Sequence, residues 1–76
     1  MADDVLSQTR RIIADTLGAD DIAADASPDS VEAWDSFAHL NIVMALEQSF
    51  GVSFDPEEVG ELLSPQAFAD RVEAKR

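Results

Sequence analysis

Residues 35–51 read DSFAHLNIVMALEQSFG, and this stretch decides the fold. An acid and a hydroxyl precede a run with no Pro and no Gly until Gly51. Asp35 is a favoured N-cap, because its carboxylate accepts from a helix-start N–H that has no partner inside the helix. Gly51 is a natural stop, since the left-handed residue that ends many helices suits glycine. The pattern predicts a helix from Ser36 to about Phe50. At about 100° per residue, His39, Ile42, Val43, Leu46 and Phe50 fall on one side as an ordinary core stripe. Phe37, Leu40 and Met44 line a second face, well separated from the first, and Asn41, Glu47 and Gln48 mark the remaining surface. A helix apolar on two sides is either surrounded or offers one side to something else. Full enclosure is hard to arrange in 76 residues. A partner-facing stripe is expected, with coverage of the preceding loop as the alternative use of Phe37 and Leu40.

The same punctuation recurs on either side of this helix. Upstream, Val5, Leu6, Thr9, Ile12, Ile13, Thr16 and Leu17 share one helical face, Asp3 or Asp4 can cap it, and Gly18 can end it. Residues 19–34 are rich in Ala, Asp and Ser, with Ile22, Val31 and Trp34 as expected inward anchors. A connection this long usually packs down or serves function. Downstream, DPEE at residues 55–58 starts a short third helix: Asp55 caps, Pro56 suits the first turn, and Glu58 completes a capping box. Gly60 weakens it, so a short, mobile element is expected. SPQAFADRVEAKR, residues 64–76, starts a last helix with Phe68 and Val72 facing inward. The expected fold is all-α: a single domain over residues 1–76, built as a small four-helix bundle with a short third helix and a long loop between helices one and two.

Charge narrows the function classes. The net charge is −11, and Arg10, Arg11, Arg71, Lys75 and Arg76 are the only basic side chains, so residues 12–70 hold no Lys or Arg. Nucleic acid and anionic membrane are bound through clustered basic residues, so neither is an expected partner. Basic protein surfaces would be attracted and steered. With no Cys there is neither a disulfide nor a thiolate metal site. The acids Asp20, Asp21, Asp25, Asp29 and Glu32 crowd the long loop but lack the ligand ladder and turn glycine of a calcium loop, so no metal is expected. The N-terminus does not read as a signal peptide, and no stretch reaches membrane-spanning length. A soluble, cytoplasmic monomer is expected.

Ser36 could act as a nucleophile only with a base in reach and a third group to orient it. The one His, His39, stands three residues later on the core side, and there is no G-x-S-x-G elbow. Packing against Trp34 as a hydrophobic staple suits His39 better. No catalytic residue is expected. A hydroxyl at a helix start is, however, well placed to bear a phosphate, because free N–H groups and the positive end of the dipole favour an anion there.

At this point the residues resemble the acyl carrier protein family. WDSFAHLNIVMALEQSFGVSF is similar to its Asp-Ser-hydrophobic motif and second helix, and PEEVGELLSPQAFADRV is similar to its later segments. The resemblance covers nearly the whole chain. It implies that Ser36 accepts 4′-phosphopantetheine from coenzyme A through a Mg²⁺-dependent phosphopantetheinyl transferase, and that the arm's thiol carries an acyl group as a thioester. It also implies a recognition surface on the second helix, formed by Phe37, Leu40, Met44 and Glu47 with Asp35 beside the attachment point. The expected partners are the transferase and acyl-activating or acyl-transferring enzymes with basic docking surfaces. Carriers of fatty acid synthesis usually bear several acids on this helix, whereas Ala38, His39, Asn41, Gln48 and Ser49 are uncharged here. A carrier of a specialised pathway is therefore expected, and from Met1 to the last helix the chain reads as a freestanding one. The alternatives are an aminoacyl or peptidyl carrier, although VEAWDS lacks the glycines typical of that group, and an acidic helical adaptor without cofactor.

Overall fold

In the computed structural model, which describes residues 4–75, the chain forms α1 (Val5–Leu17), α2 (Ser36–Phe50), α3 (Pro56–Glu61) and α4 (Pro65–Lys75). No strand occurs among the described residues. Each helix begins where a polar side chain can take an orphan N–H. Asp4 Oδ1 accepts from the Ser7 N–H at 2.7 Å and Asp35 Oδ1 from the Ala38 N–H at 2.8 Å. Ser64 Oγ accepts from the Ala67 N–H at 3.1 Å, one residue before Pro65 opens α4. Asp4 is thus the cap of α1, while the other candidate, Asp3, lies outside the described residues. The first two helices end as expected on left-handed glycines, Gly18 at φ 73° and Gly51 at φ 67°.

The core sits where α1 packs on both α2 and α4. Ile13, Ile42, Leu46, Phe68 and Val72 are fully buried, and Trp34 from the long loop joins them. On α1 the buried residues are Thr9, Ile13 and Ala14, while Val5, Ile12 and Leu17 are only partly buried against the core. Residues 19–34 pack down rather than loop out. Ile22 and Ala26 are buried, the Arg10 guanidinium donates from Nε to Ile22 O at 2.7 Å, and the Gln66 N–H donates to Ala24 O at 3.0 Å. These bonds satisfy backbone carbonyls that no helix or sheet would serve. The loop also supplies Asp21 to pair with Arg10 at 3.2 Å.

The short third helix is tied on two sides. Glu58 Oε1 accepts from the Asp55 N–H at 2.8 Å and from Lys75 Nζ at 2.9 Å, and Oε2 accepts from Arg71. These bonds, the Asp55 N–H first, then Lys75 and Arg71, favour the ionised carboxylate and lower its pKa from 4.5 to about 2. Because the folded-state value is the lower one, the Glu58 contribution is complete above pH 4.5 and is lost as pH falls towards about 2. Acid should therefore loosen α3 from α4. The amide shifts of Val59 and Leu62, whose N–H groups bond to Asp55 O and Glu58 O, should move with a midpoint at about 2, and Glu58→Gln should lack that transition. A midpoint at 4.5 would contradict the assignment.

Candidate functional site

The start of α2 is organised by three consecutive residues. Asp35 is extended, at φ −95° and ψ −175°, and its main-chain carbonyl accepts the first helical bond, from the His39 N–H at 2.9 Å. With the Asp35 carboxylate on the Ala38 N–H, the Ser36 and Phe37 N–H groups have no acceptor inside the helix and face the exposed Ser36 hydroxyl's end of the dipole. Trp34 precedes the cap and is buried.

Trp34 and His39 occupy the two positions of a hydrophobic staple, and polar bonds reinforce the packing. The Trp34 Nε1–H donates to His39 Nδ1 at 2.9 Å, and the rings stack with centroids 6.0 Å apart and an interplanar angle of 26°. An indole nitrogen only donates, so His39 Nδ1 is unprotonated and Nε2 carries the proton. That Nε2–H donates to Val59 O in α3 at 2.7 Å. With both nitrogens engaged, His39 offers Ser36 no base. It links the long loop, α2 and α3 close to Ser36.

The second apolar face is exposed, as the helical periodicity predicts. Phe37 is 74% exposed, Leu40 55% and Met44 53%. Leu63, between α3 and α4, is 46% exposed and was not among the sequence-derived candidates, because it belongs to no helical stripe. Glu47, expected on the partner-facing surface, is half-buried, and its Oε2 accepts from the Phe54 N–H at 2.8 Å. It thereby pins the α2–α3 connection to α2. A groove of about 610 Å³ opens beside Ser36, walled by Pro28, Trp34, His39, Leu40 and Leu63. Among the described residues no group of three or more His, Cys, Asp or Glu could hold a metal ion.

An exposed hydroxyl at a helix N-terminus, bordered by a mostly apolar groove, fits a phosphate-linked linear arm. The helix end suits the phosphate, and the exposed Ser36 hydroxyl lies at the groove's edge. The family model of the phosphopantetheine attachment site matches residues 7–72. No curated protein matches the chain. Among solved structures, a holo acyl carrier protein from Geobacter metallireducens, determined in solution, is 27% identical and superposes with a TM-score of 0.83 over 93% of this chain and 84% of that one. The superposition covers nearly all of this chain, and the family match runs from α1 into α4 across the Asp35–Ser36 helix start. The chain belongs to the phosphopantetheine-attachment family, the carrier proteins that bear 4′-phosphopantetheine covalently and are not themselves enzymes.

Proposed function

We propose that Ser36 is the attachment residue and that the chain carries acyl groups as thioesters to the enzymes of a specialised biosynthetic pathway. The observation that carries this reading is the exposed Ser36 at the first turn of α2, followed directly by the exposed Phe37, Leu40 and Met44. On loading, Ser36 Oγ forms a bond to the pantetheine-side phosphorus of coenzyme A. The pyrophosphate bond breaks, adenosine bisphosphate leaves, and the hydroxyl proton passes to a base of the transferase. This chain's part is to present the hydroxyl, with the free N–H groups of Ser36 and Phe37 facing the anion. The arm supplies a thiol to a chain that has no Cys. Tethering raises the effective concentration of the acyl group at each docked enzyme.

The docking surface in this reading is Phe37, Leu40 and Met44, with Asp35 at its edge and Glu47 setting the end of α2. Its partners are the phosphopantetheinyl transferase and acyl-activating or acyl-transferring enzymes whose basic surfaces suit a chain of net charge −11. The setting is cytoplasmic and the carrier monomeric. Among the described residues no helix is long and apolar enough to cross a membrane.

The test is intact mass after incubation with coenzyme A, Mg²⁺ and a broad-specificity phosphopantetheinyl transferase. The wild-type chain should gain one phosphopantetheine, and Ser36→Ala, which removes only an exposed hydroxyl, should gain none. An equal gain in Ser36→Ala overturns the assignment.

A further inference from the structure

We infer that His39 is a proton-operated latch between the long loop and α2: uncharged it holds Trp34, and as the imidazolium it releases Trp34 while keeping its hold on α3. The latch works the same whichever residue bears the arm.

The two partners of the ring fix one protonation state between them. An indole N–H only donates and a carbonyl only accepts. The Trp34 Nε1–H, 2.9 Å from Nδ1, requires a bare nitrogen there, and Val59 O, 2.7 Å from Nε2, requires an N–H. The neutral imidazole with its proton on Nε2 satisfies both. The imidazolium has an N–H on each nitrogen, so it still donates to Val59 O but sets a second donor against the indole. Trp34 is 2% exposed, and a buried donor stripped of its acceptor is costly, so the indole has to move.

A proton has access, and the release stays local. His39 is only half-buried and lines the groove beside Ser36. Histidine is the side chain whose charge ordinarily changes between about pH 5 and 8, and this chain has one. Asp29 from the long loop and Asp35 from the cap border the same groove, and their carboxylates are acceptors for the new N–H once the indole has moved. From α3 the ring meets a carbonyl; Glu58 is tied to Arg71 and Lys75, and Glu57 and Glu61 are exposed. From α4 it meets the uncharged Phe68 ring, 5.6 Å away. On α2 itself, the Glu47 carboxylate is engaged by the Phe54 N–H. The indole closes a chain of turns: the Trp34 N–H donates to Val31 O, and the Val31 N–H to Ser27 O. Its release therefore frees residues 27–34, which supply Ser27, Pro28, Asp29 and Trp34 to the groove wall beside Ser36.

An NMR titration of the full chain from about pH 8 to 5 provides the test. The carbon-bound ring protons of His39 report its charge. The Trp34 indole N–H should move upfield, and the amides of Ser27, Ser30, Val31 and Trp34 should shift, all with the midpoint of that ring. The Leu62 amide in α3 should stay in place. His39→Gln, which offers an oxygen and an N–H but cannot titrate, should abolish the transition. Trp34→Phe, which keeps an apolar ring without the N–H, should leave the ring titration and reduce the loop shifts at least two-fold. A ring that titrates without moving the indole or the loop amides would overturn the inference, as would a ring that takes up no proton above about pH 5. Loop shifts that persist in His39→Gln, or are undiminished in Trp34→Phe, would do the same.

Discussion

Phe68→Ala should remove a large part of the protein's stability. Phe68 is fully buried, meets Phe54 edge-on at 5.7 Å between centroids, and lies 5.6 Å from the His39 ring. It therefore joins α4 to the α2–α3 connection and to the link beneath Ser36. Truncating a buried Phe to Ala removes about 3–5 kcal/mol through lost transfer free energy and an unfilled cavity. A chain of 76 residues has in total about 4–11 kcal/mol, at roughly 0.05–0.15 kcal/mol per residue. The loss is a large part of the whole. Thermal unfolding followed by far-UV circular dichroism checks it, and a melting point within about 5 °C of wild type would contradict the central role given to Phe68.

The second large effect concerns docking and should leave the fold intact. Leu40→Ala combined with Met44→Ala should lower the transferase's kcat/KM for the chain about thirty-fold, with the melting point nearly unchanged. Both side chains are more than half exposed, so truncation removes little from the core. Apolar groups at an interface contribute on the order of 1 kcal/mol each, so the pair is worth about 2 kcal/mol, a factor of roughly thirty. Electrostatics cannot easily compensate along α2. Glu47 is its only charged residue, and its carboxylate is engaged by the Phe54 N–H. Acids lie to either side instead, at Asp29, Glu32 and Asp35 before the helix and at Glu57 and Glu61 in α3. Encounter should thus be steered from the flanks and the grip supplied by the stripe. An unchanged kcat/KM in the double variant would remove α2 from the docking surface.

The helix ends were legible because capping is local. Asp35, Gly51, Gly18 and Ser64–Pro65 act within one turn, and a reader of the sequence needs nothing from the rest of the fold to interpret them. The exposed face of α2 was legible for a similar reason, since its period is fixed by the helix itself. Four things were not. The path of residues 19–34 depends on bonds such as Gln66 N–H to Ala24 O, which join positions far apart in the chain and leave no periodic trace. Glu47 was placed correctly on the helix, but a face does not determine where a flexible carboxylate turns, and it turned to Phe54. His39 was read as packing on Trp34. That both its nitrogens are bonded followed only once Val59 O was seen to approach from α3. Similarly, the two-sided tether of Glu58 requires α4 to bring Arg71 and Lys75 alongside, which the capping pattern alone does not imply.

The link between Trp34 and His39 has an optical consequence. The chain contains one Trp and no Tyr, so its near-ultraviolet emission comes from a single indole. That indole is shielded from water, hydrogen-bonded to an imidazole nitrogen, and adjacent to the groove at Ser36. Any event that wets it, moves the imidazole or changes the imidazole's protonation will alter the wavelength or yield of that emission. The protein thus carries a native fluorophore two residues from Ser36, which allows events at this end of the molecule to be followed in solution without a label.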